Sequence, residues 1–150
     1  MKKNSKPRIL IALEVIILKR NNIRCPNCGA KATLRPTSAV YGEADKTDGF
    51  LYVCDRYPKC DSYVGAHRKT LEPMGTLADG NLRHKRILAH KSFDRLWKSG
   101  LMTKWQAYKW MQAKFGLSSE QAHIAKFSEF MCDQLIAMCD RITLFQSIAA

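Results

Sequence analysis

The sequence predicts an α+β protein in which a small ribbon of a few antiparallel strands is followed by a three-helix bundle. Three observations predict it. Two short cysteine hooks lie in the first half of the chain, strand-like runs follow the first hook and lead into the second, and the second half carries apolar residues at helical spacing, punctuated by cap signals. With 150 residues and 46% hydrophobic content, the chain can bury one modest core, or a small metal module beside a helical subdomain. We divide it into a basic N-terminal segment (1–24), a four-cysteine ribbon (25–69), a linker (70–80) and a helical subdomain (81–150).

In the N-terminal segment, Lys and Arg lead into an apolar run from Ile9 to Leu18, broken by Glu14. A helical membrane span needs about 20 apolar residues, so this run reads as a strand or short helix packed on the body, with no membrane partner. It also lacks a small-residue cleavage site, which argues against export and for a cytoplasmic protein with reduced thiols.

The ribbon opens with Cys25-Pro-Asn-Cys28-Gly29. Pro26 presets one backbone angle of a tight turn, and Gly29 can take the left-handed conformation that turns backbone amides toward the sulfurs. The second hook, Cys54-Asp-Arg-Tyr-Pro-Lys-Cys60, has five intervening residues and must be a wider loop, with Pro58 at its bend. Four thiolates in two hooks can surround one tetrahedral Zn ion, which accepts soft ligands at short distances. A disulfide pair is the alternative, and the missing export signal weighs against it. The metal ligands are therefore expected to be Cys25, Cys28, Cys54 and Cys60. His67 follows closely enough to hydrogen-bond near the sulfurs or to replace one. Lys31–Arg35 and Phe50–Cys54 read as strands, with 42–49 as a polar loop between them.

These residues carry two resemblances. Gly49-Phe-Leu-Tyr-Val-Cys54 running into Asp-Arg-Tyr-Pro-Lys-Cys60 resembles the C-terminal zinc ribbons of type IA DNA topoisomerases, although the segment from Gly29 to Val53 is longer here. That resemblance implies a partner in DNA, single-stranded in those ribbons. The stretch from Cys25 to about Ile142 resembles a bacterial and phage family, the zinc-finger-containing domain of unknown function. It does so through Tyr57-Pro-Lys-Cys-Asp-Ser-Tyr-Val-Gly-Ala-His67, Pro73-Met-Gly-Thr-Leu-Ala-Asp79 and Ala89-His-Lys-Ser-Phe-Asp-Arg-Leu-Trp97. This second resemblance implies a phage or mobile-element association.

Pro73, Gly75 and Gly80 mark the stretch from Thr70 to Gly80 as a structured linker. Beyond it, Asn81–Ser99 reads as a helix stopped by Gly100. Thr103 with Gln106 forms a capping box for a second helix ending at Gly116, and Ser118 with Gln121 repeats that signature for a third. In the first helix Ala89, Phe93 and Leu96 form the apolar stripe. In the second it is Trp105, Tyr108, Met111 and Phe115, and in the third Ile124, Phe127, Met131, Leu135, Met138 and Ile142. Cys132 and Cys139 share a helix face about 10 Å apart along the axis, too far for one metal, and read as buried small hydrophobes.

Net charge is +12, and it is unevenly spread. Residues 1–24 carry seven basic side chains against one acidic, giving +6; residues 25–66 balance five against five. Residues 67–115 carry eleven against three, giving +8, and residues 116–150 come to −2. The ribbon is neutral, so a polyanion would bind elsewhere, since Lys and Arg contacts to phosphates supply most nonspecific affinity. The expected nucleic-acid contacts are Arg83, Lys85, Arg86, Lys91, Arg95 and Lys98 on the first helix and Lys104 and Lys109 on the second. Trp110, off the apolar stripe, is the candidate for stacking on a base.

A host protein is the alternative partner. An enzyme would have to be built from His67, His84, His90, Asp79 and Asp94, which match no nuclease spacing, phosphate-cradling loop or nucleophile elbow. The expected function is nucleic-acid binding, DNA in preference, with zinc in a structural role and no catalytic residues.

Overall fold

A computed structural model describes residues 22–149. The Ile9–Leu18 run and all but the last three residues of the basic segment lie outside these residues. The described residues form two compact units that divide between Ala78 and Asp79, each with its own core. Among the described residues no helix is long and apolar enough to cross a membrane.

The first unit holds a three-stranded antiparallel sheet of order β1-β2-β3, made of β1 (Ala32–Pro36), β2 (Phe50–Cys54) and β3 (Tyr63–Gly65). Its register sets Leu34 opposite Tyr52 and Tyr52 opposite Val64. Central β2 is buried from Leu51 to Cys54, as its run of aliphatic and aromatic residues requires. Tyr52 is fully buried and its hydroxyl donates to the Leu71 carbonyl at 2.7 Å, so the polar end of the ring is satisfied inside the core.

The first strand lies one residue later than the sequence suggests, while the second has the expected bounds. β3 was not anticipated. It is held on its outer edge as well, because Tyr63 bridges to Ala78 and Ala66 to Pro73. The stretch read as a structured linker runs back along the sheet and buries Leu77 and Ala78, with Leu71 in the left-handed region at φ 56°. Between β1 and β2 the chain makes a single helical turn, α1 (Ser38–Tyr41), before the polar loop.

The second unit holds α2 (Gly80–Lys98), α3 (Lys104–Phe115) and α4 (Glu129–Ala149). Asp79 caps α2 by accepting from the Leu82 amide at 2.9 Å. Thr103 and Gln106 form the expected capping box on α3, and Gly116 ends that helix in the left-handed conformation at φ 63°. The Ser118 and Gln121 hydrogen bonds also form, at 3.0 and 3.3 Å, but no helix follows directly. His123 and Phe127 are extended around a short 3-10 turn, Ile124–Lys126, and α4 begins only after Ser128, whose hydroxyl accepts from the Met131 amide at 3.3 Å.

α2 packs chiefly on α4 and less on α3. Ala89, Phe93 and Leu96 are fully buried as expected, joined by Ala107, Met111, Phe127, Cys132, Leu135 and Cys139. Phe93 meets Tyr108 edge-on at 5.0 Å between centroids, and Phe115 lies 5.3 Å from Phe127.

Candidate metal centre and basic surface

Backbone pairing brings the two cysteine hooks together. Arg24 bridges to Lys31, the Cys25 amide donates to the Ala30 carbonyl at 2.8 Å, and Gly29, at φ 74°, donates to the Cys25 carbonyl at 2.8 Å. This tight hairpin abuts the end of β2, where the Asp55 amide donates to the Lys31 carbonyl at 2.9 Å. The wider hook is closed by Tyr57 N–H to the Cys54 carbonyl at 2.9 Å and Cys60 N–H to the Arg56 carbonyl at 3.0 Å, with a cis peptide between Tyr57 and Pro58.

The ligand atoms of Cys25, Cys28, Cys54 and Cys60 all lie within 4.8 Å of one another. A tetrahedron of sulfurs at about 2.3 Å from zinc has edges of about 3.8 Å. The Cys25–Cys60 and Cys28–Cys54 separations are 3.8 and 3.4 Å, so the four sulfurs fit zinc and are too far apart for disulfides. Zinc, when bound, supplies the positive charge that lets the coordinating thiols shed their protons.

The sulfurs sit in unequal surroundings. Hydrogen bonding to Ser62, whose hydroxyl is 3.4 Å away, outweighs burial at Cys60 and pulls that thiol down to about 6. Burial pushes Cys54 up to about 12. Asn27 donates its side-chain amide to Cys60 Sγ at 3.5 Å. Asn27 and Ser62 were not singled out from the sequence, though both lie within two residues of a ligand. His67 is exposed and stands outside the sulfur cluster; its backbone, not its ring, is tied to Glu72 and Leu71.

The remaining two cysteines are fully buried free thiols on α4, and burial raises both, Cys139 to about 12. They serve as core residues. Of the polar groups considered for catalysis, Asp79 is a helix cap and Asp94 pairs with Lys98 at 3.3 Å, while His90 and Asp94 line one groove on α2.

The basic residues are sorted more sharply than the sequence suggested. Arg86 is a correction: it is 8% exposed, and its Nε and Nη2 donate to the Phe127 carbonyl at 3.1 and 2.9 Å, so it belongs to the core. Lys85 pairs with Asp133 and Arg95 with Asp140, at 3.8 Å, which ties α2 to α4. Arg83 is half-buried. Lys91 is exposed beside an open groove of about 550 Å³, lined among the described residues by Ile87, His90, Lys91, Asp94, Arg95 and Lys98.

On α3, Lys104 and Lys109 are exposed, and each sits over an indole: Lys104 over Trp97 at 5.1 Å and Lys109 over Trp105 at 5.7 Å. Trp105 is a second correction. Trp110 is half-buried against the core, whereas Trp105, assigned to the apolar stripe, is 69% exposed. The buried face of α3 is centred on Ala107 and Met111, and Trp105 points away from it.

No curated protein and no solved structure matches the chain. The family model of a zinc-finger-containing domain matches residues 21–142, which takes in all four cysteines and all three long helices apart from the last turns of α4. A four-sulfur cluster of zinc dimensions within that match agrees with the family's description, and the chain belongs to the zinc-finger-containing domain family.

Proposed function

We propose that this protein binds nucleic acid, DNA in preference, through the basic surface of its helical unit, while zinc holds the neutral ribbon in shape. The observation that carries this reading is a run of surplus cations. From residue 95 to residue 119 the sequence has Arg95, Lys98, Lys104, Lys109 and Lys114 and no Asp or Glu. Lys91, Lys104, Lys109 and Lys114 are exposed, and among the described residues none of them has a carboxylate partner.

Uncompensated lysines on a folded surface repel one another, a cost that a phosphate backbone removes while releasing its counterions. The resemblance of the second hook to topoisomerase ribbons supports a DNA partner, and four free thiols clustered at zinc spacing support a reducing, cytoplasmic setting. The wider resemblance supports a phage or mobile-element origin.

The test is a salt titration of oligonucleotide binding by the wild type and by Lys91→Ala/Lys104→Ala/Lys109→Ala. If each lysine neutralises one phosphate of a single strand, the slope of log K against log salt flattens by about 2. An unchanged slope removes this surface from the reading, and no binding by the wild type removes the reading.

A second reading, a protein-interaction module acting on a host protein, is favoured by the exposed apolar side chains Leu144, Phe145 and Ile148 near the end of α4. Salt-insensitive capture of one host protein, lost on Phe145→Ser, would support it.

A further inference from the structure

We infer that Trp105 is a base-stacking platform and that the nucleic acid bound is single-stranded. This rests on the nucleic-acid reading and narrows it to a ligand class and a contact residue. Trp105 occupies the first turns of α3, and its side chain contributes little to the core: the residue is 69% exposed while Ala107 and Met111 are fully buried. Most of the indole is therefore open to solvent within a basic stretch, where a ligand can reach it.

Its surroundings are cationic. Lys109, one helical turn on, holds its ammonium 5.7 Å from the Trp105 ring centre. Lys104, the preceding residue, and Lys98 lie 5.1 and 5.3 Å from the ring centre of Trp97, which is half-buried where α2 ends. Two indoles and three ammonium groups therefore occupy the turn from α2 into α3, and Asp94, on Lys98, is the carboxylate paired with any of them among the described residues.

An exposed indole with one ammonium over its ring, and two more ammonium groups over the indole of Trp97, suits an unpaired strand, which offers bases as well as phosphates. Bases stack on the indole without sequence preference, and lysines follow the backbone. A duplex keeps its bases stacked on each other and offers only phosphates to the same surface. An acidic peptide would satisfy the lysines and leave the indole unused.

The experiment is an anisotropy titration with a dye-labelled single strand of about 20 nucleotides, a duplex of the same sequence, and poly-glutamate as competitor. Trp105→Ala should weaken single-strand binding about 10-fold. Its salt slope should be unchanged, since no phosphate contact is removed. Duplex binding should be nearly unaffected, and Trp105→Phe, which keeps a stacking face, should retain most of the affinity. In the wild type, tryptophan fluorescence should fall on binding, and most of that quench should be missing from Trp105→Phe.

Wild-type binding with no selective loss in Trp105→Ala overturns the platform and leaves general phosphate binding standing, and equal competition by poly-glutamate overturns the platform and leaves only unselective polyanion binding. A wild type that binds no nucleic acid overturns both.

Discussion

Arg86 is a cation consumed by the fold. Its fork takes the Phe127 carbonyl where the extended backbone between the 3-10 turn and α4 would otherwise leave that oxygen unsatisfied, and burial lowers the pKa of the guanidinium. Arg86→Ala should cost about 1–3 kcal/mol, the penalty of a buried acceptor left without its donor, read as a lower urea midpoint. Arg86→Lys should recover only part of this, because an ammonium cannot reproduce the two-nitrogen contact. In sequence Arg86 sits among Arg83, Lys85 and Lys91 with nothing to set it apart, since the partner lies 41 residues away. The cysteines were legible for the opposite reason: ligand chemistry demands them, and their spacing is local. One zinc per chain is expected by elemental analysis, with Cys60→Ser losing it. A metal-free wild type, gently purified, would exclude the site.

At the scale of elements, local signals were reliable where local energy decides. The Thr103 and Gln106 box forms in full and starts α3, so Thr103→Ala should cost about 1 kcal/mol by thermal or urea unfolding. Ser118 and Gln121 make the same pair of bonds around a single turn, and Ser118→Ala should cost distinctly less. Ala122, Ile124 and Phe127 are all buried, although no helix continues from that box. The chain instead passes through the short 3-10 turn Ile124–Lys126, between extended His123 and Phe127, and the helix restarts after Ser128. On α3 the expected stripe holds for Tyr108, Met111 and Phe115 and fails at Trp105, because the buried side also takes Ala107, small enough for close helix approach. β3 was invisible for another reason. Three residues cannot display alternation, and its pairing with β2 and with the returning segment 73–78 is tertiary.

At the scale of the whole molecule, the two units rest on different kinds of core, which gives zinc removal a specific expected outcome. The first unit's core includes Cys25, Cys54 and Cys60 beside Ala32, Tyr52, Val64, Ala66 and Leu77, so its metal ligands are also much of its buried surface. Structural zinc is worth an apparent ~10–16 kcal/mol to small metal-folded domains at neutral pH, more than burying a Tyr, a Leu, a Val and a few small residues can replace. The second unit buries Phe93, Leu96, Met111, Phe127 and Leu135 around two thiols that burial keeps protonated, and none of the four clustered ligands belongs to it. A strong chelator should therefore release one zinc and abolish the slow amide exchange of β2, while most of the helical ellipticity and the cooperative unfolding of the helices persist. Loss of helical ellipticity in step with zinc release would show instead that the helices depend on the ribbon. If the helices do survive, the chelated protein should still show the Trp105-dependent binding of single strands, because every cation and indole proposed for it lies between Lys91 and Lys109.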